Sequence, residues 1–304
     1  MKGMPVVKAI LAECAKTETA GPAADLLKPA READGTGTAV PAGSARGEQN
    51  VRRPCLAIVR VGENPSDLSY ERGAQKRLSQ AGAECRREIF PADVTAEKLA
   101  AALDSLAADD TVDGILMFRP LPGNLPAEEL AERIPPEKDM DCASRESLGK
   151  FFAGDSDAIA PCTAQAVIEV LKHYQIPMEG KRAVVIGRSL VIGKPAAMLL
   201  LAQNATVTVC HSRTRDLAEI CRGADILVAA VGKEAFVKPG WIKPGAAVVD
   251  VGIHVSADGS LAGDVDPAAY DLPDGYITPV PGGLGPVTSA VLARHVVEAA
   301  EKRR

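Results

Sequence analysis

The chain has 304 residues, of which 46% are hydrophobic, and a formal net charge of -5. That is length and apolar content enough for two domains with their own cores, and the negative balance excludes a general nucleic-acid surface, which needs clustered Lys and Arg. Seven cysteines without CxxC pairs predict reduced thiols rather than a zinc site or disulfide framework, and no apolar run approaches a membrane span, so a cytoplasmic protein with a small-molecule partner is expected.

Val6, Val7, Ile10, Leu11 and Cys14 recur at helical spacing, predicting an amphipathic helix over the first 16 residues. From about Glu18 to Asn50 small and polar residues dominate, and a flexible insertion is expected. Regular structure follows: a buried strand in "CLAIVRVG", a helix in "SYERGAQKRLSQAG" closed by Gly82, and a strand in "AECRREIF". "TAEKLAAALDSLAADD" predicts a helix capped by Thr95 with Leu99, Leu103 and Leu106 on one face, and "VDGILMFRPLP" the next strand with its outgoing loop. Strands alternating with helices of this length imply a parallel α/β sheet.

A second alternation begins at "TAQAVIEVLKHY" and runs through "RAVVIG", "KPAAMLLLAQ", "TVTVC", "DLAEICRG", "ADILVAAVG" and "GAAVVDVGI", the order of a dinucleotide-binding sheet. The Gly/Pro-rich "YITPVPGGLGPVT" and a helix from Ser289 close the chain. In "VVIGRSLVIGKP", Gly187 ends a strand and Gly193 opens a helix, with Ser189 where a dinucleotide fingerprint carries its middle glycine. A helix N-terminus behind a tight turn favours phosphate, although a plain structural turn would use the same glycines. An NAD site carries an acid at the end of the second strand; here "HSRTR" follows "TVTVC", and Arg188, His211, Ser212 and Arg213 offer donors to a 2′-phosphate, which predicts NADP. A solvated basic turn is the alternative.

"VGENPSDLSY", "DGILMFRPLP", "KDMD", "PCTAQ", "GRSLVIGKP", "ATVTVCHSRT", "DVGI", "GDV" and "TPVPGGLGPVT" follow one another as in the bifunctional methylenetetrahydrofolate dehydrogenase/methenyltetrahydrofolate cyclohydrolases, which the chain resembles from about Pro54 onward. The resemblance implies an α/β protein of two domains: an N-terminal folate-binding domain (1–160 plus 288–304), a C-terminal Rossmann-type NADP domain (161–287), and a cleft between them. It also implies a homodimer. Residues matching the family's NADP site are Gly187, Arg188, Ser189, Ser212 and Ile253; Pro281, Gly282, Gly283, Gly285 and Pro286 match its cleft loop.

Tyr70 and Asp141 match family catalytic and folate-holding residues, but the family's lysine, one helical turn after the tyrosine, is Ala74, and its glutamine is Phe118. Lys76 lies about 200° around the helix from the lysine position and cannot replace it, and Arg77 is a turn further along. After Asp141, Cys142-Ala143 stands where the family has Gly-Phe. Hydride removal needs mostly positioning, whereas hydrolysis of the methenyl cation needs proton transfer, so the dehydrogenase is expected to persist with cyclohydrolase weak or absent. Full bifunctionality, a non-catalytic NADP- or folate-binding paralogue, and a different pterin-like substrate are the alternatives. His173, His254 and His295 receive no role, and no metal is expected.

Overall fold

The computed structural model describes residues 1–19, 52–255, 259–272 and 274–303. Apart from Glu18 and Thr19, the insertion expected over residues 18–50 lies outside them; those two residues end helix α1 (Gly3–Thr19), three residues longer than the sequence pattern suggested.

Three parallel strands, β1 (Cys55–Val61), β2 (Glu84–Phe90) and β3 (Gly114–Met117), form a sheet ordered β2-β1-β3. The central β1 is covered on both faces, which is why it reads as an unbroken apolar run. Leu56 and Ile58 point toward α2 (Pro65–Gln80) and the C-terminal helix α9 (Leu284–Lys302). Ala57, Val59 and Val61 point toward α3 (Ala96–Ala108), whose Leu99, Leu103 and Leu106 are buried as expected beneath the Thr95 cap.

Helix α2 begins at Pro65, four residues earlier than read from the sequence. Asn64 accepts a side-chain hydrogen bond from Ser66 N, and Pro65 occupies the first turn, where its missing N–H costs nothing. Likewise α9 starts at Leu284 rather than Ser289, because Pro286 falls in a first turn that has no intrahelical acceptors for its N–H groups. Two short helices, α4 (Ala127–Ala131) and α5 (Arg145–Ala153), follow β3 and have no counterpart in the sequence reading.

After α6 (Cys162–His173) comes a five-stranded parallel sheet built from β4 (Arg182–Ile186), β5 (Thr206–Cys210), β6 (Ile226–Ala229), β7 (Ala247–Asp250) and β10 (Tyr276–Ile277), ordered β10-β7-β6-β4-β5. Helices α7 (Gly193–Ala202) and α8 (Leu217–Arg222) flank it, and two antiparallel strands of two residues each, β8 (His254–Val255) and β9 (Leu261–Ala262), follow β7. Helix α9 packs on α1, α2 and α6, so one apolar core runs continuously from the first sheet to the second.

Candidate functional site

The strand order reverses at β4: its neighbours are β5, next in sequence, and β6, reached by a crossover. A crevice forms outside the carboxyl ends of two such strands. Gly187 ends β4 at φ +133°, and a Cβ there would lie 2.3 Å from the Ala230 carbonyl oxygen at the end of β6. A Cβ on Gly193 would lie 2.3 Å from the carbonyl oxygen of Gly187, so α7 starts directly against the turn. Both fingerprint glycines are therefore required by close backbone approach.

Ser189 explains the missing middle glycine. Its Oγ accepts from Ile192 N (3.2 Å) and Gly193 N (3.4 Å), closing the turn at the start of α7 and keeping its own proton to donate. Gly187 N donates to Cys210 O at 2.9 Å, which sets the loop after β5 beside this turn. There Thr214 Oγ1 accepts from His211 N, and His211 Nδ1 accepts from Arg213 N at 3.1 Å. The His211 ring is thus engaged in shaping its own loop, while Arg188, Ser212 and Arg213 are exposed. Neither arginine has an ion-pair partner among the described residues. Ile253, 61% exposed, stands at the end of β7 within ordinary contact of the position a Cβ on Gly285 would take. The sequence-derived cofactor residues therefore lie along one carboxyl edge of one sheet.

On the first sheet, Tyr70 and Phe118 meet edge to face, ring centroids 5.7 Å apart. Phe118 is held by donation of its N–H to Val59 O and is buried. Ala74 is fully buried in the core beneath α2. Lys76 is exposed, and Arg77 turns away to Gln80 Oε1 (2.6 Å) and Met4 Sδ (3.5 Å). No cation therefore substitutes for the lysine from α2 itself.

The "KDMD" segment divides its labour. Lys138 Nζ donates to the carbonyls of Leu106, Ala107 and Asp109, capping α3. Asp139 accepts from Ala143 N and Ser144 N, and Met140 is in the core. Asp141 lies beside Tyr70: its Oδ1 accepts from Cys162 N at the start of α6 (2.9 Å), and burial raises its carboxyl above the usual range against that bond and the nearby Arg119 charge. Burial likewise pushes the Tyr70 hydroxyl well up, with the thiol of Cys162 and the carboxyl of Asp141 adding to it, and the Cys142 thiol up to about 12. Beneath them the Cys162 Sγ donates to Met140 O and lies 3.6 Å from His295 Nδ1, whose ring burial holds neutral with a pKa lowered to about 4.

Two groups escaped the sequence reading. Arg60, on β1 in register next to Phe118, forms a buried ion pair with Glu71, the neighbour of Tyr70 (Nε to Oε2, 2.7 Å). Arg119, directly after Phe118, lies near enough to Asp141 for its charge to oppose the effect of burial there. Neither has a local sequence signal beyond its place at a strand end. The loop before α9 keeps Pro281 and Gly282 exposed while Gly283 is buried; Gly282 O accepts from Gly3 N at 2.9 Å, so the start of α1 is docked on it.

A parallel sheet with a glycine-lined crevice at its switch point, joined to a second α/β unit that sets Asp141 beside the Tyr70–Phe118 ring pair, defines a two-domain dinucleotide-dependent enzyme class. Residues 161–304 match the family model for the tetrahydrofolate dehydrogenase/cyclohydrolase NAD(P)-binding domain, and residues 34–141 match that for the tetrahydrofolate dehydrogenase/cyclohydrolase catalytic domain. The chain belongs to the tetrahydrofolate dehydrogenase/cyclohydrolase family. It is 51% identical over 246 residues to the bifunctional protein FolD of Alkaliphilus oremlandii, covering 81% of this chain and 86% of that one. Among solved structures, the methylenetetrahydrofolate dehydrogenase-cyclohydrolase of Trypanosoma brucei, complexed with NADP cofactor and inhibitor, superposes with a TM-score of 0.83 at 34% identity, covering 99% of this chain and 97% of that one. A 5,10-methylenetetrahydrofolate dehydrogenase from the silkworm Bombyx mori gives 0.81 at 32% identity, covering 99% and 95%. Among the described residues, no helix is long and apolar enough to cross a membrane, and no cluster of His, Cys, Asp and Glu fits a metal ion.

Proposed function

We propose that the chain is an NADP-dependent 5,10-methylenetetrahydrofolate dehydrogenase of one-carbon metabolism whose cyclohydrolase step is weak or absent. The carrying observation is the contrast between its two halves: the dinucleotide crevice has its glycines and donors, while Ala74 and Phe118 are buried apolar side chains where proton-transferring groups would be needed.

Gly187 and Gly193 would let phosphate approach the amides opening α7, with Ser189 as a hydroxyl donor. Arg188, Ser212 and Arg213 would hold a 2′-phosphate, and His211 keeps that loop in shape. Ile253 would pack on the nicotinamide side, and the coenzyme, when bound, supplies the hydride acceptor. On the folate side Tyr70 and Phe118, whose rings meet, would offer an apolar wall, and Pro281, Gly282 and Gly283 would contribute to the same cleft. Asp141, anchored by the Cys162 N–H, would hold the pterin by hydrogen bonding. Losing hydride leaves a cation shared by two nitrogens and requires no base, so these residues need only orient the substrate and exclude water. Hydrolysis of that cation demands an activated water. The Tyr70 hydroxyl and the Cys162 thiol are pushed away from neutrality and His295 is sealed beneath the pocket, which leaves Asp141 as the titrating group moved toward neutral pH.

A full bifunctional enzyme is the second reading, favoured by the naming of relatives about half identical to this chain. Homodimerisation, a cytoplasmic location and the domain division 1–160 plus 288–304 and 161–287 belong to the same proposal. Two assays on purified protein decide: NADPH formation from methylenetetrahydrofolate, and separately the decay of methenyltetrahydrofolate absorbance. Dehydrogenase turnover with methenyl decay at the uncatalysed rate is expected. Enzymatic decay comparable to the dehydrogenase rate establishes the bifunctional reading instead, and absence of both activities removes the enzyme reading.

A further inference from the structure

The "DVGI" and "GDV" segments meet in a buried carboxylate brace. Asp264, fully buried, accepts four hydrogen bonds: from Val231 N (2.5 Å) and Gly232 N (3.0 Å) at Oδ2, and from Lys233 N (2.9 Å) and His254 Nε2 (2.8 Å) at Oδ1. Asp250, also buried, accepts from Gly252 N and Asp264 N at Oδ1 and from Val265 N at Oδ2, all at 2.9 Å. The two glycines of these segments make room for the two carboxylates. A Cβ on Gly252 would lie 2.4 Å from Asp264 Oδ1, and one on Gly263 would lie 1.9 Å from Asp250 Oδ2.

What Asp264 grips is the wall of the crevice. Residues 231–233 continue from Ala230, whose carbonyl abuts Gly187 at the switch point, and His254 directly follows Ile253 at the end of β7. One carboxylate therefore ties two separate walls together. Three consecutive backbone N–H groups converge on it as they would on a bound anion, so the loop after β6 is folded around an internal charge.

We propose that Asp264 is the positioning residue of the dinucleotide site, fixing the 231–233 loop and the Ile253–His254 segment in the register that receives the nicotinamide half of the coenzyme, with His254 as the link between the two. The inference rests on the NADP reading above. Asp264 touches no coenzyme in this scheme; it acts through the loop.

Substituting Asp264→Asn keeps the shape but turns an NH2 toward donors it cannot satisfy, leaving at least one buried N–H unpaired. The KM for NADP then rises about tenfold or more, equivalent to about 1.4 kcal/mol of binding. The KM for methylenetetrahydrofolate and the kcat at saturating NADP stay within about threefold, the split that separates uniform binding from chemistry. His254→Leu raises the NADP KM severalfold and His254→Gln, which retains a donor, restores most of it. A merely structural role would lower the folded fraction or kcat without this split. The inference is overturned if folded Asp264→Asn protein has a wild-type NADP KM, or if its folate KM rises as much. If Asp264→Asn fails to fold, the histidine pair decides, and equal NADP KM values for wild type, His254→Leu and His254→Gln overturn it. Wild-type protein that binds no NADP overturns the functional reading together with this one, whereas wild-type binding with unaffected variants overturns this one alone.

Discussion

Replacing Gly187 by alanine tests the crevice most directly, because the obstacle is backbone rather than a flexible side chain. At φ +133° an L-residue sits in a region that glycine alone adopts readily, at a cost of about 1–3 kcal/mol. The new methyl would meet Ala230 O at 2.3 Å, Ala230 C at 3.1 Å and Ala230 Cβ at 3.3 Å. Ala230 cannot retreat freely, since its N–H is bonded to Ile186 O at 2.9 Å, so relief must come from prying apart the carboxyl ends of β4 and β6. Overpacking of that kind costs about 1–3 kcal/mol more. The sum, about 2–6 kcal/mol, is a large part of the stability of an ordinary domain. Urea unfolding at constant m-value reads the loss, and a calorimetric titration with NADP on the folded fraction reads a weakening of at least about tenfold, because the same opening displaces the turn proposed to hold phosphate. An unfolding midpoint and NADP affinity both equal to wild type would refute the argument that this glycine is present for close approach.

Gly149→Ala is the matching control: nothing lies within 4 Å of its Cβ position inside α5, and a gain of about 0.5–1 kcal/mol in urea unfolding is expected, while a loss would contradict the open surroundings. Lys138→Met deletes the ammonium that three carbonyls of the α3 end share, and a loss of about 2–3 kcal/mol by thermal or urea unfolding is expected, with an unchanged midpoint counting against the cap. His295, with its pKa lowered from 6.5 to about 4, contributes stability that is full above pH 6.5 and lost as pH falls through 4, at most about 3 kcal/mol. Asp250, raised from 3.8 to about 6, runs the other way: its contribution is full below pH 3.8 and lost as pH rises through 6. The stability difference between pH 7 and pH 4 should therefore shift in favour of acid in His295→Leu relative to wild type, and identical pH profiles would exclude a buried neutral histidine.

Much of the cofactor half was legible in the sequence because its demands are local. A turn between a strand and a helix constrains backbone over few residues, so Gly187, Ser189 and Gly193 carry their reason with them, and the parallel strand order follows from the alternation of elements. The helices read from Ser69 and Ser289 begin instead at Pro65 and Leu284, because Pro65 and Pro286 are accommodated in first turns, where no intrahelical N–H bond is lost. The Arg60–Glu71 pair and the Asp264–His254 link were not legible, since each joins elements that only the folded sheet brings together. A lone histidine after a strand offered no signal that a carboxylate ten residues on would accept from it.

The aspartates show why residue type alone could not single out the carboxylate proposed to hold the pterin. Asp139, Asp141, Asp250 and Asp264 all stand in short segments typical of the family. Asp139 spends its oxygens on two backbone N–H groups, Asp250 on three, and Asp264 on three plus an imidazole. Each spends two or more acceptor sites on the chain's own N–H groups. Asp141 accepts from a single backbone N–H, at the positive end of α6, and retains acceptor capacity in the neighbourhood of Tyr70 and Arg119. A ligand's amino and ring N–H groups can replace water only at a carboxylate that the protein has left unfilled. The proposed pterin contact at Asp141 rests on that remaining acceptor capacity, which is set by the fold around α6 rather than by the letters of "KDMD".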